Sequence, residues 1–106
     1  MLHVIGIWAL VAAFAGAGLF NAIGTQGTRE DFVRWGYPAW WCRVTGALEI
    51  AVAAFAAFAA TRVAGLVLGG AVICAATATV LRRREFAHLA QLGLFAALIA
   101  VVAFTR

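Results

Sequence analysis

Residues 63–81 read VAGLVLGGAVICAATATVL, with no charged side chain, and they lie between Arg62 and the run Arg82-Arg83-Arg84. At ~1.5 Å rise per residue, a helix of this length reaches across a ~30 Å hydrocarbon core. A strand reading fails. Membrane barrel strands alternate apolar and polar residues over about ten positions, and no alternation occurs here. The stretch is therefore predicted to be a helix with lipid as its solvent. Three further runs are of the same kind: residues 4–23 (VIGIWALVAAFAGAGLFNAI), 44–60 (VTGALEIAVAAFAAFAA) and 86–104 (FAHLAQLGLFAALIAVVAF). The run at 44–60 is the shortest and carries an acid.

Composition agrees. Of 106 residues, 66% are hydrophobic and 11% charged, and the mean hydropathy is +1.02. Soluble domains sit near 45–50% apolar and about 25% charged. A chain this short buries only about two-thirds of its unfolded surface in water, too little to hide this apolar content. A soluble globule is excluded. Few polar residues and two cysteines also exclude a disordered tail and a disulfide scaffold. The expectation is an all-α membrane protein: one domain, 1–106, forming a bundle of four transmembrane helices at about 4–23, 44–60, 63–81 and 86–104. A short amphipathic, aromatic segment joins the first two. Residues 1–3 supply no basic region for a signal peptide, so the first run is expected to remain as a span.

Orientation follows from arginine, since the chain has no lysine. Four crossings place Arg29, Arg34, Arg43, Arg82, Arg83 and Arg84 on one side, and Arg62 and Arg106 on the other. Six against two predicts that the first and third loops are cytoplasmic and both termini non-cytoplasmic, in a multi-pass protein of the cell (inner) membrane. Arg82-Arg83-Arg84 then reads as a topology anchor touching lipid phosphates. No basic face accompanies it, so nucleic acid is not an expected partner. The bilayer is.

The first loop, residues 24–43, reads GTQGTREDFVRWGYPAWWCR. Thr28 is expected to cap a short helix whose first turn holds Glu30 and Asp31, where the dipole favours anions. Phe32 and Trp35 share a face, and Gly36 and Pro38 end the element. Trp40-Trp41 follow. These aromatics suit an interfacial belt, and equally a lid, with Trp35, Tyr37, Trp40 and Trp41 lining a pocket.

Glu49 is the acid inside a span, about 7–8 Å below its start by the ~1.5 Å rise. On a helix of 100° per residue it shares a face with Thr45, Gly46, Ala53, Ala56 and Ala60, all small, while Phe55 and Phe58 point elsewhere. Small faces mark close helix contact, so Glu49 is expected to face the interior. It reads either as a ligand, proton or ion site or as a structural partner of His88 or a third-loop arginine. Asn21, Cys74, Thr77, His88 and Gln91 fall within about 10 Å of the same interface on that rise. One polar cluster at the cytoplasmic end is predicted, over an apolar base. Gly65 and Gly69 form a GxxxG for close packing, within the bundle or between copies in a homo-oligomer.

Several chemistries are set aside. Cys42 and Cys74 form no C-x-x-C and sit toward the reducing side, so neither thiol exchange nor a structural bridge is expected. His3 and His88 belong to opposite ends. No residue set has metal-ligand spacing, and no phosphate loop or nucleophile elbow occurs. No catalytic residue is assigned.

The stretch 32–41, FVRWGYPAWW, followed by Val44-Thr45-Gly46-Ala47-Leu48-Glu49, resembles DoxX-like membrane proteins. Those typically read F-x-x-x-G-Y-P-x-W-F and then G-x-L-E. Residues 81–89, LRRREFAHL, are similar to their R-x-x-E-F-x-H. The resemblance spans essentially the whole chain. It implies a four-helix multi-pass protein, with some relatives serving quinone-linked oxidoreductases and others acting as membrane accessory proteins. The expected function is accessory: binding a small quinone-like or lipid-like molecule in a cytoplasmic-end pocket. Its lining would be Glu49, His88, Gln91, Asn21, Thr45 and the loop aromatics. Quinone is the cofactor implied, and a membrane oxidoreductase the partner. Two rivals are a small proton-coupled multidrug-type transporter and a membrane isomerase or oxidoreductase subunit.

Overall fold

A computed structural model describes residues 1–105; Arg106, counted above among the orienting arginines, lies outside the described residues. Five α-helices follow in order: α1 Leu2–Ile23, α2 Gln26–Arg34, α3 Trp41–Ala57, α4 Arg62–Arg83 and α5 Leu89–Phe104. Short 3-10 turns at Ala59–Thr61 and Phe86–His88 precede α4 and α5. Among the described residues there is no strand. Leu2–Ile23, Ala59–Arg83 and Phe86–Phe104 are long and apolar enough to cross a membrane. α3, at 17 residues, is shorter.

The four longer helices form an antiparallel ring in which α1 touches α3, α3 touches α4, α4 touches α5 and α5 returns to α1. The α1–α3 seam is the tightest. A Cβ on Gly46 would lie 2.5 Å from Gly18 O and Ala22 N, so these helices meet backbone to backbone. Gly65 meets α3 in the same way, 2.8 Å from Ala56 N, and Gly69 sits under Val52 and Phe14. The GxxxG of α4 therefore packs inside the bundle. Phe14, Leu10 and Val52 are fully buried at its centre. The sequence reading placed Gly46, Ala53 and Ala56 on an inward face and Phe55 and Phe58 outward, and the structure does the same.

Helix ends depart from expectation where side chains act on backbone. α3 stops at Ala57 rather than 60, because Thr61 Oγ1 donates to Phe55 O (2.8 Å) and Arg62 Nε to Ala56 O (2.9 Å). These side chains take carbonyls that further helix would have used. α3 also starts three residues early, at Trp41, whose N–H bonds Pro38 O. α5 begins at Leu89, since residues 86–88 coil more tightly as a 3-10 turn. α4 closes with Arg84 in the left-handed region (φ 57°) and Glu85 N–H on Val80 O, a Schellman-like end.

The cap of α2 is Thr25, not Thr28. Gly24 leaves α1 with φ 66°, a value glycine adopts freely, and delivers Thr25 to the capping position, where its Oγ1 accepts from Thr28 N–H (3.3 Å). Thr28 becomes a buried first-turn residue. Gly36 (φ 94°) ends α2, with Tyr37 N–H on Phe32 O.

Candidate functional site

Close approaches between the α1/α3 pair and the α4/α5 pair concentrate away from the loop end. Gly6 meets Val101, Gly65 meets Ala56, and Phe14 meets Phe95 edge to face at 5.0 Å. Beyond Phe95 the pairs leave a cavity of about 360 Å³, lined from α1, α3, α4 and α5 and roofed by α2. Thr28 and Phe32 of the roof are each 7% exposed. Phe20, at 58% exposure, and Leu48, at 39%, both line the cavity and face outward, so it reaches the bundle's flanks.

Glu49 stands on the wall, buried. Asn21 Nδ2 donates to its Oε1 at 2.5 Å across the glycine seam. No buried side-chain nitrogen or oxygen among the described residues lacks a partner. Glu49 lines the cavity, and its Oε2 takes no hydrogen bond among the described residues. The expected pairing of Glu49 with His88 or a third-loop arginine is replaced by this Asn21 contact. His88 instead sets its ring edge-on to Trp35 at 5.8 Å and lies 4.0 Å from Glu85.

Eight of the nine residues anticipated from sequence border this one cavity: Asn21 and Glu49; Thr45 and Trp41 on α3; Trp35 and Tyr37 in the loop; His88 and Gln91 near the start of α5. Trp40 does not. It is 59% exposed and packs edge-on against Trp41 at 5.6 Å. Neighbours on a helix point about 100° apart, so only Trp41 shares the side of Thr45 and Leu48.

Sequence reasoning chose Thr77, and the structure puts Thr79 on the cavity instead. Thr79 donates to Ala75 O (3.0 Å), so its oxygen accepts the Tyr37 hydroxyl at 2.8 Å. The signal was present. The packing face of Gly65 and Gly69 continues at helical spacing through Ile73 and Ala76 to Thr79 and Val80.

Glu85, between α4 and α5, was also passed over as a functional residue. It accepts from Arg34 Nη2 (2.5 Å) and Nε (3.3 Å) and from Trp35 Nε1. Arg34 also pairs with Asp31 at 2.8 Å, and Arg83 Nε donates to Trp35 O at 3.3 Å. These bonds tie the end of α2 to the α4/α5 side. The Arg34 hydrogen bonds hold the Glu85 carboxyl below the usual carboxylate range, aided by Trp35. Glu85 and then Asp31 push the guanidinium of Arg34 upward in turn.

The DoxX-like family is matched over residues 4–103, from α1 into α5. The chain belongs to the DoxX-like family. Every residue of the DoxX-like cavity lies inside that match. No curated protein and no solved structure matches the chain. Within this DoxX-like bundle, the described residues include no group of three or more His, Cys, Asp or Glu able to hold a metal. Cys42 is buried and Cys74 exposed, and both are free.

Proposed function

We propose that this DoxX-like protein crosses the membrane four times, with α3 as the short fourth crossing, and binds a small membrane-borne amphipathic molecule of quinone or lipid kind. It acts as an accessory protein rather than as a catalyst on its own. The observation that carries the reading is the cavity, which sets one buried carboxylate against apolar and aromatic walls. Pockets for small molecules are mostly apolar with a few placed polar groups, at roughly 300–1,000 Å³. An ionisable residue within a span is costly and marks function by default.

The cavity end carries Arg29 and Arg34 on α2, Arg43 in the first turn of α3 and Arg82–Arg84 at the end of α4, which supports a cytoplasmic aromatic end and non-cytoplasmic termini. A membrane oxidoreductase exchanging a carried molecule is the partner this reading favours. Native mass spectrometry of detergent-purified protein tests it. A co-purifying small molecule is expected, and Leu92→Trp, which fills the cavity, should release it. Absence of any ligand, together with no saturable uptake of an added quinone or amphiphile, overturns the reading.

A further inference from the structure

Resting on that binding function, the charges around the cavity go further and name the head group. Glu49 and Asp31 are both on the lining, and among the described residues no arginine borders the cavity, although six lie on α2 and the adjoining ends of α3 and α4. Asp31 has its counter-ion in Arg34, at 2.8 Å. Glu49 has, among the described residues, the neutral amide of Asn21 as its hydrogen-bond partner and no ion pair. A carboxylate held away from water is costly unless a positive charge or further hydrogen bonds compensate it.

Three hydrogen-bonding groups of the roof and of α4 are already engaged. Trp35 Nε1 is used by Glu85, the Tyr37 hydroxyl by Thr79, and the Thr79 hydroxyl by Ala75 O. Glu49 shares the cavity lining with the rings of Trp35, Tyr37 and Trp41, and its second carboxylate oxygen takes no hydrogen bond among the described residues. Both attract an organic ammonium: the carboxylate by charge and hydrogen bonding, the rings through their quadrupoles within about 6 Å.

We infer that the cavity binds the protonated amine head of an amphipathic ligand, with Glu49 as its counter-ion and Trp35, Tyr37 and Trp41 as its aromatic surround. The six arginines outside the lining repel such a head on the aqueous approach. The flanks at Phe20 and Leu48 give it a route from the bilayer. The amine is carried either on a lipid-like chain or on a small free molecule.

The test uses wild-type protein in phosphatidylcholine nanodiscs, titrated with 2-phenylethylammonium, its neutral counterpart 2-phenylethanol, dodecylammonium and decylubiquinone. Tryptophan fluorescence gives saturation. An ammonium should bind at least tenfold more tightly than the alcohol. Glu49→Gln should abolish that preference, and Thr77→Val, off the lining, should keep it. Tighter binding of dodecylammonium assigns the amine to a lipid-like source, and tighter binding of phenylethylammonium to a free one. Equal affinity for alcohol and ammonium in the wild type overturns the inference, with or without a folded Gln variant. Saturable binding of the quinone alone overturns it and leaves the broader binding function standing. Binding of no probe overturns both.

Discussion

Gly46 sets where Glu49 can be. With no side chain at Gly46 or Gly18, α3 lies against the backbone of α1, and that distance lets a residue as short as Asn21 span to Glu49 at 2.5 Å. A methyl at Gly46 would meet two backbone atoms of α1 at 2.5 Å, which no rotamer change relieves. Gly46→Ala is expected to lower stability at the upper end of the ~1–3 kcal/mol seen for overpacked cores, read as a fall in Tm in detergent. Gly70→Ala, where an added Cβ meets nothing within 4 Å, should leave Tm unchanged. The inward position of Glu49 was legible, because helical spacing puts it on an all-small stripe. Its partner was not. Asn21 is 28 residues away, and only the depth of the glycine seam decides that it, rather than His88, comes within reach.

At the level of elements, α2 is a nine-residue roof whose far end is tied down by the Glu85 carboxylate, with the Arg83–Trp35 O and Tyr37–Thr79 bonds beside it. Glu85→Gln removes the charge that Arg34 pairs with and should free the end of α2. Faster amide exchange over residues 31–37 and a red-shifted Trp35 emission would show it. Unchanged exchange would mean that the Tyr37–Thr79 bond suffices. Acidity should do the same reversibly. The Glu85 carboxyl is held below its ordinary value of 4.5, so the tie contributes fully above that pH and is lost as pH falls through the lowered value. The fluorescence change should be centred below pH 4.5 and vanish in Glu85→Gln. The existence of α2 was readable from its polar face and from Gly36 and Pro38. Its cap was misplaced because two threonines compete, and the left-handed Gly24 that decides between them leaves no periodic trace. The same limit displaced the end of α3. Alanines 59 and 60 carry no stop signal, and the stop comes from Thr61 and Arg62 reaching back to its carbonyls.

Over the whole molecule, the chain is two antiparallel pairs, α1/α3 and α4/α5, joined tightly at one end and parted at the other. Apolar runs made the bundle legible, and the arginines made its polarity a definite expectation. A C-terminal alkaline phosphatase fusion should be active and a C-terminal fluorescent protein dark; the opposite result reverses the proposed orientation. The parting itself was not readable, since it depends on which small residues meet. Phe14 against Phe95 closes the cavity from below at 5.0 Å, while the flanks at Phe20 and Leu48 stay open. On the proposed binding function, that combination makes the protein a gauge of heads and indifferent to tails. A head group must fit between the aromatic roof and the Phe95 floor. A long chain attached to it has to leave sideways into the lipid, where its length no longer costs anything.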